Sequence, residues 1–201
     1  MFMQVIFGLS HDPTCLGRQI DSWMTDLKPG AFGWLGCTGA ATDDGRTILI
    51  ARFDTAEAAA ANSGRPEQGE WWKGMEACFD GAPEFRNSSD VTTSLRAGSD
   101  DAGFVQITQG KTSERVRVDA IRAQFDRELC QRHPGLIGSV MCWYGDGEFT
   151  ESAYFTDEAA ARAGEREIGE RPETAALQDE FRSVVTDLEF YDLRSPLLVS
   201  A

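Results

Sequence analysis

Short apolar runs alternate along this chain with stretches whose apolar residues recur every three or four positions, and the alternation predicts the elements. Met3-Gln4-Val5-Ile6-Phe7, closed by Gly8, is too short for a helix and reads as a strand. Asp12-Pro13 then offers a helix cap and a proline at the first helical position. Leu16, Ile20, Trp23 and Leu27 follow at helical spacing until Pro29-Gly30 stops them. A strand over 34–41, a tight Asp43-Asp44-Gly45 turn and a strand over 47–53 predict a hairpin, because Asp-Gly suits the positive φ that a tight hairpin turn needs. Asp54 and Glu57 are spaced as a capping box for a short alanine-rich helix ending near Gly64. A second helix opens at Arg65-Pro66-Glu67 and is expected to bury Trp72, Met75 and Phe79, with a final strand within 84–95.

The same pattern then returns. Gly33, Gly36, Asp44-Gly45, Ala51-x-Phe53 and Ala58-Ala59 reappear as Gly135, Gly138, Asp146-Gly147, Ala153-x-Phe155 and Ala160-Ala161, each 102 positions on, which marks an internal duplication. Val105 to Gln109 repeats the first strand, and Val118, Ile121, Phe125 and Leu129, stopped before Pro134-Gly135, repeat the first helix. Arg171-Pro172-Glu173 repeats the later tripeptide at an offset of 106, so four residues are inserted between Ala163 and Arg171. Leu177, Phe181 and Val184 form the last helical stripe, and a final strand is expected within 187–198. The chain therefore divides into repeats 1–95 and 102–201, joined by the polar segment 96–101. Each repeat reads βαββαβ, a ferredoxin-like antiparallel sheet with both helices on one face. Two such sheets can cover each other's bare face. The expected fold is thus α+β, with two ferredoxin-like repeats packed into one pseudo-two-fold barrel.

The element order, the Gly-x-x-Gly strand start, the hairpin and the step from Phe53 into the alanine helix resemble the dimeric α+β barrel superfamily. Within it they are most similar to the antibiotic biosynthesis monooxygenase branch, here with both partners fused. That resemblance implies a small-molecule enzyme of the cofactor-independent monooxygenase type, acting on a flat aromatic or polyketide-like substrate. Where members of the branch often carry Glu-x-Trp and a helical histidine, this chain has Ala51-x-Phe53 and Asn62, then Ala153-x-Phe155 and Gly164. A non-catalytic barrel that binds a small ligand or serves in stress is the alternative. Haem binding, as in another branch, would have Met75 and Cys78 but no histidine on the second helix.

Charge and cysteines narrow the partners. The formal charge of −14 is spread along the whole chain and disfavours nucleic acid and anionic membranes. No apolar run approaches the roughly 20 residues of a membrane helix, and the first residues lack a basic leader, so a cytoplasmic location is expected. Internal duplication suggests a monomer that is its own pseudo-dimer, with a further homodimer left open. Cys15, Cys37, Cys78, Cys130 and Cys142 are odd in number and form no C-x-x-C pair, so they read as small apolar filler. Metal-ligand spacing, a phosphate loop and a nucleophile elbow are all missing from the sequence, and no cofactor is expected.

The densest group of chemistry-bearing side chains is Asn62, Arg65, Trp71 and Trp72 around the helix junction of the first repeat. Asn62 can hydrogen-bond a developing oxyanion as the catalytic residue, Arg65 can hold an anionic oxygen, and the indoles can stack on a flat ligand. Trp23 and Trp34 would complete the substrate pocket. Each has a plainer reading: Asn62 as a helix terminator, Arg65 as an ion-pair partner, and the four indoles as core. His11 and His133 are the two imidazoles, and His133 reads as a helix-end residue. Because Gly164, Leu177 and Gln178 stand where the first repeat has Asn62, Trp71 and Trp72, one ligand site per chain is expected, in the first repeat.

Overall fold

A computed structural model describes the chain except for residues 130–132 and 134, and describes the backbone alone at residue 129. The first repeat contains β1 (Phe2–Leu9), α1 (Pro13–Asp26), β2 (Trp34–Ala41), β3 (Arg46–Phe53), α2 (Ala56–Ser63), α3 (Pro66–Glu76), β4 (Glu84–Ser88) and β5 (Val91–Leu95). The second contains β6 (Phe104–Lys111), α4 (Arg115–Leu129), β7 (Leu136–Trp143), β8 (Glu148–Phe155), α5 (Glu158–Glu170), α6 (Pro172–Val184), β9 (Thr186–Leu193) and β10 (Leu197–Ser200). Both hairpins form as their Asp-Gly turns require, with Gly45 at φ 83° and Gly147 at φ 84°. The four inserted residues lengthen a helix: α2 has 8 residues and α5 has 13.

Each stretch expected to hold one final strand holds two. The second of each pair joins the sheet of the other repeat, giving the antiparallel orders β10-β2-β3-β1-β4 and β5-β7-β8-β6-β9. Two compact units result, Met1–Val91 with Ser195–Ala201 and Thr92–Arg194. The second glycine of each Gly-x-x-Gly signature has its physical cause at this exchange. A Cβ on Gly36 would lie 2.8 Å from the Val199 carbonyl oxygen, and one on Gly138 would lie 2.6 Å from that of Ala97. Glycine lets the incoming backbone approach.

In the first unit, Leu16, Ile20 and Trp23 of α1, Leu27 just after it and Met75 of α3 pack with Ile6, Cys37, Leu49 and Phe53 of the sheet in one continuous core. In the second, Val118, Ile121, Trp143, Phe149, Leu177 and Val184 belong to one core cluster. Asp12 caps α1 as expected, accepting from the Cys15 N–H at 2.9 Å. Thr55, not Asp54, caps α2, accepting from Ala58 N–H at 3.1 Å. The reading of the cysteines as mere filler is corrected at one pair: Cys15 and Cys78 form a disulfide that ties the first turn of α1 to the end of α3. Their 63-residue separation hides the pairing from spacing rules. Cys37 and Cys142 are buried, and Cys130 lies outside the described residues. Among the described residues, no helix is long and apolar enough to cross a membrane.

Candidate functional site

Both units hold a cavity between helices and sheet, at corresponding positions. In the first unit, Trp23, Trp34, Asn62, Trp71 and Trp72 converge, as the sequence suggests, but they enclose about 70 Å³. That is room for roughly two water molecules, since each water occupies about 30 Å³ in the liquid. The indoles consume the space. Trp23 packs against Trp34 with ring centroids 4.7 Å apart and planes tilted by 51°, meets Trp71 edge-on at 6.5 Å, and Trp71 meets Trp72 at 6.1 Å. Two indole N–H groups are committed, Trp23 to Gln68 Oε1 and Trp71 to the Gln19 carbonyl, both at 2.8 Å. Burial pushes the Cys37 thiol at this cavity up to about 11, so it stays protonated at neutral pH.

Arg65 does not line that cavity. Its guanidinium lies over Gly30 and donates to the Leu27 carbonyl at 3.1 Å, to Asn62 Oδ1 at 3.0 Å and to Glu67 at 3.0 Å. Since arginine can only donate, this contact fixes the amide of Asn62: oxygen toward Arg65, nitrogen turned away. Asn62 is 6% exposed.

The second unit holds about 250 Å³ at the same place. Its walls are apolar, with Phe125, Leu136, Phe155, Ile168, Phe181 and Leu188 among them. The space exists because bulky residues of the first unit have smaller counterparts here: Leu136 for Trp34, Phe125 for Trp23, Leu177 for Trp71, Gln178 for Trp72 and Gly164 for Asn62. The larger hollow therefore lies in the second repeat, and the smaller one in the first, where the sequence analysis places the expected ligand site.

The second cavity is also the more polar. Arg122 stands where the first unit has Ile20, and Glu151 where it has Leu49. They pair at 2.6 Å with side chains 14% and 22% exposed. Burial works against the charge on Arg122, but Glu151, with Asp126 and Asp119, outweighs it, so the guanidinium is held more firmly protonated than in water. Asp126, one turn further along α4, has its carboxyl raised above the ordinary value, first by burial and also by Glu151, against opposing contacts from Ser94 and Arg122. Ser139 and Thr108 replace Cys37 and Ile6. His133 lines the cleft. Sequence reasoning missed Arg122 and Glu151, although aligning the repeats shows a charge at each of two apolar positions. His11 lies on the surface, bonded to Asp80.

No family model and no curated protein matches the chain. Solved structures do, over its whole length. A candidate monooxygenase from Fusobacterium nucleatum superposes with a TM-score of 0.78 at 9% identity, covering 99% of this chain and 94% of that one. One from Lactobacillus acidophilus gives 0.72 at 12% identity, covering 99% of each chain. An anthrone oxidase-like protein gives 0.65 at 12% identity, covering 98% of this chain and 92% of that one. The chain thus has an α+β fold of two ferredoxin-like repeats, shared from end to end with structures described as monooxygenase-like.

Proposed function

We propose that the protein is a small-molecule enzyme of the cofactor-independent monooxygenase type, and that a flat aromatic or polyketide-like substrate binds in the cleft of the second unit. The observation that carries this reading is the 250 Å³ apolar space with polar groups converging on it, in place of the 70 Å³ left among the tryptophans. A tricyclic phenol cannot enter the first cavity without displacing indoles. In the second, Phe125, Phe155 and Phe181 offer ring faces and edges for it. In such a reaction the ionised substrate supplies the electrons to dioxygen. The protein excludes water, orients the ring and stabilises the negative oxygen that develops. The neighbours' descriptions support the same chemistry.

The test is oxygen uptake with a panel of anthrone-type phenols, using wild type and Gly164→Leu, which fills the cleft. The expected result is uptake above buffer that the substitution abolishes. No uptake across the panel, with an aromatic ligand recovered unchanged, would replace this reading with that of a binding protein.

A further inference from the structure

We propose that His133, braced by Glu167, is the base of the second-unit cleft and takes the proton from the substrate's acidic carbon at Nδ1; the inference rests on the oxygenase reading. The imidazole side chain is 11% exposed and lines the cleft. Its Nε2 is buried and faces Glu167 Oε2 at 3.4 Å. That spacing is an ion-pair distance without hydrogen-bond geometry, so Nε2 has no hydrogen-bond partner among the described residues. Catalytic hydrogen bonds often sit long in the empty site and tighten when substrate arrives. The other oxygen of Glu167 is 3.5 Å from Arg171 Nη1, which steadies the carboxylate.

A carboxylate only accepts, so closure of the 3.4 Å gap to Glu167 places the imidazole proton on Nε2 and leaves the lone pair on Nδ1. Nδ1 and Cε1 are the ring atoms closest to where a side chain on Gly164 would begin, at 3.7 and 3.9 Å. Gly164 occupies the position of Asn62 in the first unit, and Arg171 the position of Arg65. In the first unit an arginine orients an amide. In the second, the corresponding arginine braces a glutamate that orients an imidazole, and the imidazole reaches over the glycine where the amide would have been. A polar hydrogen-bonding group has been replaced by one that can also carry a proton.

Nδ1 accepts the proton of a ring CH₂, and the electron pair stays on the substrate as an enolate. The enolate gives its electrons to dioxygen, a C–O bond forms, and the protonated imidazole returns its proton to the peroxide. Loss of water then leaves a carbonyl, so CH₂ is oxidised to C=O while one oxygen atom of O₂ enters the product and the other leaves as water.

Anthrone in D₂O without oxygen separates proton removal from oxygenation, because the enzyme can then exchange the CH₂ protons but cannot complete the reaction. Wild type is expected to accelerate this exchange over buffer and to oxygenate anthrone in air. His133→Gln should lower both rates by about 100-fold or more, the usual weight of a general base, while anthrone binding followed by fluorescence persists. Added imidazole should restore rate to His133→Ala. If His133→Gln fails to fold, Glu167→Gln should still slow exchange, with Glu167→Asp recovering part of it. Exchange at the wild-type rate in folded His133→Gln or Glu167→Gln overturns the base assignment and leaves the oxygenase reading standing. Wild type that binds anthrone but neither exchanges nor oxygenates it overturns that reading, and the assignment with it.

Discussion

The two cavities form a natural pair, built on one scaffold at the same sheet and helix positions. Around the first, Ile20, Trp23, Trp34, Leu49, Trp71 and Trp72 pack an apolar core; around the second, Arg122, Phe125, Leu136, Glu151, Leu177 and Gln178 occupy the matching places. The backbone was kept while volume and charge were redistributed. In the first unit the ring contacts and the Cys15–Cys78 disulfide hold α1 and α3 together around what is left of a pocket. In the second, no disulfide spans the helices among the described residues, and the smaller side chains leave the hollow. Tight packing and open space compete for the same atoms, and the two copies hold one each.

The contrast can be broken most severely at the indoles. Trp23 is 6% exposed, so Trp23→Ala should cost about 4 kcal/mol, as truncation of a buried tryptophan does, whereas its counterpart Phe125→Ala should cost less than half of that because it already faces a cavity. Equal losses in denaturant titrations would mean that the second cavity is filled in solution. Next comes the charge pair. Arg122→Ala should cost about 3 kcal/mol by leaving Glu151 half-buried and unpaired, while the double change Arg122→Ile with Glu151→Leu, which restores the first unit's pair, should be neutral or stabilising. If the double variant were as unstable as the single, the charge pair would be a structural requirement of the second unit.

Reducing the Cys15–Cys78 bond should cost about 2 kcal/mol by freeing the unfolded chain, and should leave binding in the second unit unchanged. Loss of binding under reductant would show that the first unit's packing matters to the site. The smallest effect concerns pH. Asp126 has a raised carboxyl in the folded state, so the folded protein binds that proton more tightly than the unfolded chain. The carboxylate therefore opposes folding above its folded pKa, and the penalty fades as pH falls through that value toward the ordinary one. Asp126→Asn should raise the melting temperature at neutral pH, with the gain shrinking under acid. A gain that does not change with pH would mean the carboxyl is not perturbed.

Much of the fold is local and was readable. The hairpins follow from Asp44-Gly45 and Asp146-Gly147, α1 from Asp12-Pro13, and the lengthened α5 from the change of offset at Arg171. What escaped was non-local. Nothing near Val91 or Leu197 specifies which sheet a strand joins, and the glycines that accept it are identified only by the carbonyls beside them. The tryptophans of the first repeat line one small cavity, yet their identity alone does not tell whether they fill a pocket or wall it. Gly164 shows the same limit from the other side: a missing side chain reads as a lost function until the space it leaves is seen.

The central claim is that the open cleft of the second unit, not the tryptophan cluster of the first, receives the ligand. A crystal structure of the protein with anthrone bound tests it most directly. The account predicts the rings of anthrone between α4, α6 and the sheet of the second unit, against Phe125 and Phe181 and over Gly164. Anthrone seated instead among Trp23, Trp34, Trp71 and Trp72, with the second cleft empty, would contradict it.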